Sequence, residues 1–484
     1  MSAKKRFIVI GAGMSGILAA VRLSQSGNDD LVVYEKGTTI GGTWRENRYP
    51  GLTCDVPAHC YTYTFAPHAG WSAFYAPGPE IQAYFEKVVD DFDVRRFIRT
   101  NAEVTRCEWL DGRWHVTLAD GTTDVGDIVI AASGVLHHPK FPDIPGQDSF
   151  GGAIFHSARW DDTFVAEGKR IGVIGNGSTG VQIVGALSKV AAHLVHLQRS
   201  PQWIMPVAQV AYTDEDRAAF AEDVEKIDAI RFGDDYWSGI RRFNAAIIDP
   251  DSPELQDIER LCLRNLEDNV HDPELRERLR PNYRAACKRL VYSWNYYDAA
   301  QRPNVVIDTS PIERIEQAGI RMKNGQLHEL DAIVLATGFQ ADKFIKPTKV
   351  IGKDGIDLDD FWARRPTAHY AVTLPSFPNF FMLNGPTGPI GNFSLIDIAE
   401  RQWDHITQLM APILKDEAAW VAPRREAHAD YEERRIEAAR NTVFGSGCTS
   451  WYLDAEGVPG TWPWSYDAFG DAMAHPKFEE FEYG

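Results

Sequence analysis

Short apolar runs, glycine-rich loops and amphipathic stretches follow one another along the N-terminal part of the chain. FIVI at 7–10 is entirely apolar, as is typical of a strand buried in a parallel sheet. After the loop GAGMSG at 11–16, apolar residues recur at helical spacing and stop at Gly27, a residue favoured at helix C-termini. LVVYEK at 31–36 predicts the next strand. The pattern therefore predicts a β-α-β unit.

The same pattern occurs again further along. KRIGVIGNGSTG at 169–180 repeats the strand and the loop, and HLVHLQRS at 193–200 repeats the second strand. In both units the charged residue at the end of the second strand lies 24 positions after the first glycine of the loop. A chain of 484 residues is also too long for a single core. We therefore predict an α/β fold with two dinucleotide-binding domains.

Helices and further strands follow. Residues 211–280 are rich in Asp, Glu, Arg, Ala and Leu, which predicts an amphipathic helical insertion. DAIVLATGFQAD at 331–342 predicts a strand, and 377–402 predicts a strand, a Gly-Pro loop and a long helix.

Composition and charge exclude several classes of function. A net charge of −18 argues against nucleic acid and anionic membranes as partners, since like charges repel. No apolar run approaches the roughly 20 residues of a membrane-spanning helix, and the N-terminal residues lack a signal-peptide pattern. The six cysteines show no CxxC spacing, which predicts neither a disulfide framework nor a metal site. We expect a cytoplasmic protein.

The first glycine loop has the context of a dinucleotide site, because it lies between a strand and a helix. Gly11 allows the tight turn, Gly13 lets the backbone approach a pyrophosphate, and Gly16 allows close packing of helix and strand. The phosphates would lie at a helix N-terminus. Glu35 would accept hydrogen bonds from a ribose and repel a 2′-phosphate. The alternative is a β-α-β unit without a ligand.

The second loop differs in one chemical respect. An arginine replaces the acidic residue at the strand end, and a guanidinium there binds a 2′-phosphate in bidentate fashion. This favours NADPH over NADH, whereas a surface arginine after an edge strand is the alternative. The cofactor-binding residues predicted for this unit are Gly175, Gly177, Ser178, Thr179, Gly180, Arg199 and Ser200.

The segment GGTWRENRYPGLTCD at 41–55 predicts irregular backbone that lies against a flat ring. Its sequence alone would make Asp55 a turn-forming residue. Cys54 and Cys60 suggest a redox dithiol as in disulfide reductases, but their spacing is longer than in those enzymes and includes Pro57.

A third segment, FGGAIFHSARWD at 150–161, bridges the two glycine loops and has the form FxGxxxHxxxWD. It resembles the fingerprint of the type I Baeyer–Villiger monooxygenases, flavoenzymes that insert one oxygen atom of O2 beside a ketone carbonyl. Segment 41–55 resembles that family's GGxWxxxxYPGxxxD pattern as well, which implies that it lies along the flavin and that its cofactor-binding residues are Gly42, Thr43, Trp44 and Asp55. Between the two loops, His156 is expected to couple domain position to NADP binding. The fingerprint residues are Phe150, Gly152, His156, Trp160 and Asp161.

The resemblance covers essentially the whole chain and implies two Rossmann-like three-layer domains. Residues 1–147 would be the first part of an FAD-binding domain. An NADPH-binding domain would follow at 148–337, with the helical insertion at about 211–280. Residues 338–484 would return to the FAD-binding domain and end in a C-terminal loop.

The resemblance also implies a reaction. NADPH would reduce FAD, the reduced flavin would trap O2 as a C4a-peroxide, and a ketone would become an ester or lactone. In this family pattern Arg289 faces the flavin, Asp55 holds that guanidinium, and Lys288 is a second ligand of the 2′-phosphate. Trp451 would reach the nicotinamide ribose. By residue type alone, the two cations would be solvated and Trp451 would be a packing residue.

Three alternatives remain. Oxygenation at sulfur or nitrogen fits the same architecture, although the complete fingerprint favours ketones. A pyridine-nucleotide-dependent reductase or electron-transfer flavoprotein would need a dithiol or a partner surface. A non-catalytic nucleotide sensor is the most distant alternative.

Overall fold

Two parallel five-stranded sheets organise the protein, whose computed structural model describes residues 4–447 and 450–484. In the described residues the strands are, in chain order, Phe7–Ile10 (β1), Leu31–Tyr34 (β2), Ile98–Arg99 (β3), Val104–Leu110 (β4), Arg113–Leu118 (β5), Thr123–Gly126 (β6), Ile128–Ala131 (β7), Ala153–His156 (β8), Arg170–Ile174 (β9), His193–Leu197 (β10), Ile204–Pro206 (β11), Val291–Ser293 (β12), Val305–Asp308 (β13), Ile312–Glu316 (β14), Gly319–Met322 (β15), Leu327–Glu329 (β16), Ala332–Leu335 (β17), Lys349–Ile351 (β18), Phe380–Met382 (β19), Val421–Pro423 (β20) and Phe481–Tyr483 (β21).

The helices cover the sheets and fill the spaces between them. The α-helices in the same described ranges are Met14–Gln25 (α1), Thr43–Glu46 (α2), Gly78–Asp91 (α3), Ser178–Leu187 (α4), Asp214–Glu222 (α5), Val224–Arg231 (α6), Asp234–Ile248 (α7), Pro253–Asn269 (α8), Pro273–Arg278 (α9), Tyr296–Ala300 (α10), Leu358–Phe361 (α11), Leu395–Leu414 (α12), Arg425–Arg440 (α13) and Tyr466–Ala474 (α14). Short 3₁₀ turns occupy Ala58–Cys60, Arg95–Phe97, Gln147–Ser149, Ser157–Arg159, Lys353–Gly355, Val443–Gly445 and Phe478–Glu480.

The first sheet has the strand order β19-β7-β1-β2-β3, with every pair parallel. Phe7 of its central strand lies opposite Leu31 on one side and Ile128 on the other. All four residues of β1 are buried, which explains its continuous apolar run. Because β19 pairs with β7, strands from distant parts of the chain complete one sheet.

The second sheet has the order β13-β10-β9-β17-β8 and is also fully parallel. Its edge strand β8 comes from the middle of the fingerprint segment, with Ala153 opposite Ala332. The segment that the sequence analysis interprets as a bridge between domains therefore also supplies a strand to one of them.

Five helices, α5 to α9, occupy the stretch predicted as a helical insertion. Polar side chains cap four of them: Thr213 forms a capping box with Asp216 at α5, Asp223 caps α6, Ser252 caps α8, and Asp272 caps α9. Ile240 and Phe243 of α7 pack in the same buried cluster as α1 and α12. The insertion therefore packs against the side of the molecule that carries the first sheet.

Smaller sheets flank the two large ones. Strands β4, β5 and β6 form an antiparallel meander that β18 extends, and β14, β15 and β16 form another. Parallel pairing of β11 with β12 brings two distant segments together. Within residues 4–447 and 450–484, the structure contains no helix with the length and apolar character needed to span a membrane.

Candidate active site

The three glycines of the first loop differ in why a side chain is absent at each position. Gly11 has φ +98°, and a Cβ there would lie 2.7 Å from the carbonyl oxygen of Ala132. A Cβ on Gly16 would lie 1.8 Å from the carbonyl oxygen of Gly11. At Gly13 the nearest atom would be Cα of Gly42, at an ordinary 3.5 Å. The fold itself therefore requires Gly11 and Gly16, whereas Gly13 leaves room that a ligand can use.

Glu35 lies buried just beyond β2, as the sequence predicts. Its carboxylate accepts hydrogen bonds from the backbone N–H of Ala12 at 2.8 Å and of Gly37 at 2.7 Å. Arg45 also donates to it, at 2.9 Å. These contacts fix the carboxylate beside the glycine loop, where a nucleotide ribose would lie.

Segment 41–46 lies against that loop. Gly42, with φ +54°, precedes α2, and Thr43 is the first residue of this helix. The indole N–H of Trp44 donates to the hydroxyl of Tyr61 at 3.2 Å. Helix α1 begins without a side-chain cap, so its first N–H groups are available to an anion.

The second loop repeats this arrangement. A Cβ on Gly175 would lie 2.3 Å from the carbonyl oxygen of Ala336, and one on Gly180 would lie 2.0 Å from that of Gly175. At Gly177 it would meet no atom within 4 Å. The buried hydroxyl of Ser178 has no hydrogen-bond partner in the described part of the chain, and α4 begins without a side-chain cap. This open, donor-rich site fits the pyrophosphate of a dinucleotide.

The structure brings the three predicted 2′-phosphate ligands together. Pairing of β11 with β12 places Lys288 near the end of β10, where its Nζ donates to Oγ of Ser200 at 3.1 Å. Burial, followed by the nearby Arg199, lowers the pKa of Lys288. Among the described residues neither Lys288 nor Arg199 pairs with a carboxylate, and Lys288 lies over the ring of Tyr283 at 4.3 Å. In a protein of net charge −18, two cations without a carboxylate partner beside a hydroxyl form a site for a phosphate.

Segment 41–55 docks onto α4, the helix of the second loop. The hydroxyl of Tyr49 donates to Oε1 of Gln182 at 2.9 Å and lies 3.4 Å from Oγ1 of Thr179. Gly51 has φ +84°, and a Cβ there would lie 2.7 Å from the carbonyl oxygen of Gln182. The Tyr-Pro-Gly turn therefore places Asp55 beside the helix of the second loop.

Asp55 and Arg289 form a bidentate ion pair. Nη2 of Arg289 lies 2.8 Å from both carboxylate oxygens of Asp55, and its Nε lies 3.2 Å from Oδ2. Nη1 donates to the carbonyl oxygen of Gly391 at 2.8 Å, and the Asn392 amide donates to Asp55 at 3.3 Å. Burial opposes the charge of the guanidinium, but Asp55 outweighs this effect and keeps the pKa of Arg289 above its usual value.

Asp55 of the ion pair lines a narrow aromatic cleft. In this cleft the rings of Tyr75 and Trp294 stack with their centres 6.2 Å apart. Arg289 keeps 34% of its side-chain surface accessible, so a ligand can reach it. The other lining residues are Thr53, Cys54, Gln182, Val207 and Tyr292.

The two cysteines do not form a redox pair. Cys54 and Cys60 are both buried free thiols. Burial raises the pKa of Cys60 to about 12, and burial with the neighbouring Asp55 raises that of Cys54 further. Because the thiolate is the reactive form, these residues do not suit a dithiol centre.

The fingerprint residues Phe150, Gly152 and Trp160 have packing roles. A Cβ on Gly152 would lie 2.3 Å from the carbonyl oxygen of Asp331 and 2.8 Å from the ring of Phe150. Trp160 packs edge-on against Phe155 with ring centres 4.9 Å apart. Asp161 closes a local turn by accepting hydrogen bonds from the N–H and the hydroxyl of residue 163.

His156 is buried where the chain crosses twice between the two sheets. Its Nδ1 accepts from the N–H of Ala158, so Nε2 carries the proton and donates to the carbonyl of Gly338, each at 3.1 Å. The N–H of Lys140 donates to that same carbonyl at 2.9 Å. Burial lowers the pKa of His156 to about 4, so the ring is neutral at pH 7. The ring therefore connects the fingerprint segment to Gly338 and, through the carbonyl of Gly338, to Lys140.

The C-terminal loop contributes Tyr452, a residue that the sequence analysis did not select. Its ring packs against that of the half-exposed Trp451, with ring centres 4.0 Å apart. Tyr452 is buried and interacts electrostatically with Arg289. Sequence reasoning also missed Gln182 and Asn392, whose contacts depend on tertiary structure. Residues 448 and 449 of the predicted loop lie outside the described residues.

Comparison with known proteins adds an independent result. Residues 4–215 match a family model described as flavin-binding monooxygenase-like. An uncharacterized monooxygenase of Mycobacterium tuberculosis is 41% identical over 98% of this chain and 95% of its own length. A Baeyer-Villiger monooxygenase of Streptomyces coelicolor is 37% identical over 95% of this chain and 88% of its own length.

Solved structures agree in fold over the full length. Cyclohexanone monooxygenase from Rhodococcus sp. Phi1 bound to NADP+ is similar with a TM-score of 0.87, 29% identity and 99% coverage of both chains. The OTEMO complex with FAD and NADP is similar with a TM-score of 0.88, 25% identity and full coverage of both chains. The chain belongs to the flavin-dependent Baeyer–Villiger monooxygenases.

Proposed function

We propose that the protein uses FAD, NADPH and O2 to convert a ketone into an ester or lactone. The observation that carries this proposal is the Arg289–Asp55 pair. Its carboxylate belongs to the segment that contacts both glycine loops, and this carboxylate lines a narrow cleft. The similarity to a cyclohexanone monooxygenase bound to NADP+ supports ketones as the substrate class. Oxygen insertion needs both a hydride donor and a place where negative charge on oxygen is stabilised.

We further propose how the chain divides between the cofactors. Residues 1–147 and 338–484 form the FAD-binding domain, because β19 completes the first sheet. Residues 148–337 form the NADPH-binding domain. FAD, when bound, takes up hydride from NADPH and activates O2 for transfer to the substrate. Gly13, Glu35 and the N-terminus of α1 hold its adenosine and pyrophosphate.

In this proposal Arg289 stabilises negative charge that develops on oxygen during the reaction. Asp55 fixes the guanidinium in a bidentate geometry and offsets part of its charge. Gly391 accepts a hydrogen bond from Arg289 and Asn392 donates one to Asp55, so each member of the pair is held by a further contact. Because these contacts exist before substrate arrives, little reorganisation is needed during the reaction.

The alternatives make different demands on the same residues. A dithiol reductase would need a reactive thiol pair, whereas burial disfavours the thiolates of Cys54 and Cys60. Oxygenation of sulfides or amines would use the same cofactors and is separated from ketone oxidation by its products.

The test is NADPH consumption by the flavin-loaded enzyme in air with a panel of linear, cyclic and aromatic ketones, alongside sulfides and amines. Products are identified by mass. We expect esters or lactones that gain one oxygen atom, labelled when ¹⁸O2 is supplied. Sulfoxides or N-oxides without ester from any ketone would contradict the proposal, as would NADPH oxidation that gives only hydrogen peroxide with every compound.

Arg199→Ala is expected to weaken NADPH binding about tenfold to a hundredfold and to leave NADH binding unchanged. The reason is the loss of a charge-assisted contact to the 2′-phosphate, typically about 1.5–3 kcal/mol. Apparent affinities come from the initial rate of flavin reduction at varied coenzyme concentration. Arg264→Ala, at an exposed position of α8, is the control. Equal weakening of both coenzymes would show that Arg199 does not bind this phosphate.

His156→Ala is expected to slow turnover about tenfold while flavin content and the ester product stay the same. Two hydrogen bonds that connect the fingerprint to the crossing segments are lost, each contributing about 1 kcal/mol. His156→Phe keeps the ring contacts with Phe141 and Phe339 and should be slowed as well. His115→Ala, on a half-exposed position of β5, is the control. Unchanged turnover in both His156 variants would remove this residue from the mechanism.

A further inference from the structure

We propose that the hydroxyl of Tyr452 donates a hydrogen bond to the carbonyl oxygen of the ketone held at Arg289. This inference rests on the proposed function. Tyr452 lies in the C-terminal loop and belongs to neither of the long motifs. The carbonyl oxygen would then accept hydrogen bonds from two donors, the charged guanidinium of Arg289 and the neutral hydroxyl of Tyr452.

The first observation is a buried hydroxyl whose proton has no acceptor. Tyr452 is 4% exposed, and among the residues that the structure describes no acceptor meets its Oη; the guanidinium of Arg289 beside it can only donate. A phenol that is excluded from water normally finds a partner, because leaving it unpaired is costly. A ligand that enters the cleft would supply the missing acceptor.

The second observation is its position beside the ion pair. The guanidinium of Arg289 lowers the pKa of Tyr452 and Asp55 raises it, although burial has the largest effect and brings the pKa to about 12. The phenol therefore keeps its proton at neutral pH and remains a donor. Arg289 acts on the phenol both by its charge and by a side-chain hydrogen-bond contact, so the hydroxyl lies beside the ion pair.

The hydrogen bonds described above do not use every N–H group of Arg289. A guanidinium has five N–H groups, and those of Arg289 reach Asp55 and Gly391 among the described residues. Nη1 donates once, to Gly391, so its second N–H remains available. A carbonyl oxygen has two lone pairs and can accept from this N–H and from Tyr452 together.

The loop that carries Tyr452 is firmly held. The N–H of residue 460 donates to the carbonyl of Tyr452 at 2.9 Å, and the ring packs against Phe444 at 4.8 Å. Further along, Arg365 forms ion pairs with Asp454 at 2.9 Å and Glu456 at 2.7 Å. These contacts orient the phenol before substrate binds.

Tyr452→Phe removes only the hydroxyl, and Tyr431→Phe is a matched control. Tyr431 is 1% exposed and its hydroxyl also lacks a partner in the described structure, but it packs among His369, Tyr370 and Trp464 in the C-terminal part. Both variants therefore lose a buried, unpaired hydroxyl, and only one of them lies beside Arg289.

The direct measurement is the infrared carbonyl stretch of a ¹³C=O-labelled ketone bound to the oxidised holoenzyme with NADP+, where no turnover occurs. The ketone is the one that the wild type oxidises fastest in the panel. We expect hydrogen bonding to lower this frequency in the wild type and in Tyr431→Phe. In Tyr452→Phe it should move back toward the value of the free ketone. The rate of ketone oxidation should fall about three- to tenfold, with anaerobic flavin reduction unchanged.

The outcomes separate this inference from the function on which it rests. If the wild type oxidises no ketone, the proposed function fails and the inference with it. If it oxidises a ketone and the stretch is the same in Tyr452→Phe and the wild type, the inference alone is wrong. An equal change in both tyrosine variants would mean that loss of a buried hydroxyl loosens the protein, which also overturns it.

Discussion

Arg289→Ala is expected to lower the rate of ketone oxidation by about 10²–10³-fold, while NADPH still reduces the flavin anaerobically at the original rate. Removing one preorganised donor from a site of developing negative charge typically has an effect of this size. Hydride transfer does not need that donor, so the two half-reactions should respond differently. The variant also leaves Asp55 without its partner, but one oxygen still accepts from Asn392.

The measurement has two stages: anaerobic reduction by NADPH, then mixing with O2 and ketone. NADPH consumption is expected to continue in Arg289→Ala, with hydrogen peroxide in place of ester. Arg284→Ala is the control, because Arg284 lies on the same loop and pairs with Glu259 at 2.8 Å, away from the cleft. Ester formation at the wild-type rate in Arg289→Ala would contradict the assignment of the active site, whatever the fingerprint indicates.

The two nucleotide-binding units were the most predictable part of this protein. Their signals are local: four apolar residues form β1, and two glycines of each loop lie where neighbouring backbone leaves no room for a side chain. The prediction that Arg199 binds a phosphate also rests on a local signal, its position at a strand end, and it stays a prediction. Such features need only a few neighbouring residues, so the sequence shows them directly.

Some structure that the sequence analysis did not predict had a visible signal. In Arg113–Leu118 (β5) buried and half-exposed residues alternate, and RWHVTL has the matching alternation of apolar and polar side chains. The edge strand β8 is harder to predict, because its four residues lie within a motif dominated by glycine, histidine and tryptophan. The residues that identify the motif do not indicate that the segment also forms a strand.

The contacts that complete the site could not be predicted. Asn392 reaches Asp55 across 337 positions of sequence, and Gly391 reaches Arg289 across 102. Tyr452 becomes distinctive only when its burial and the absence of a partner within the described residues are known. These contacts depend on how the chain returns to the first sheet, and no local pattern encodes that return.

Gly13→Val is expected to give folded protein that contains no FAD. Gly13 precedes α1, whose uncapped N-terminus is the proposed pyrophosphate site. A Cβ at this position would meet Cα of Gly42 at 3.5 Å, which the fold tolerates, so the branched side chain would fill the space needed by the phosphates. The measurement is the ratio of flavin absorbance at 450 nm to protein, with the thermal midpoint compared against flavin-free wild type.

Two other glycines make this result interpretable. In Gly16→Ala the new Cβ would lie 1.8 Å from the carbonyl oxygen of Gly11, so this variant should lose the fold as well as the flavin. In Gly239→Ala, on α7, the new Cβ would meet no atom within 4 Å, and flavin content should be unchanged. Full flavin occupancy in Gly13→Val would exclude the first loop as the FAD site. Loss of the fold in Gly13→Val, as in Gly16→Ala, would mean that this glycine serves packing and not the cofactor.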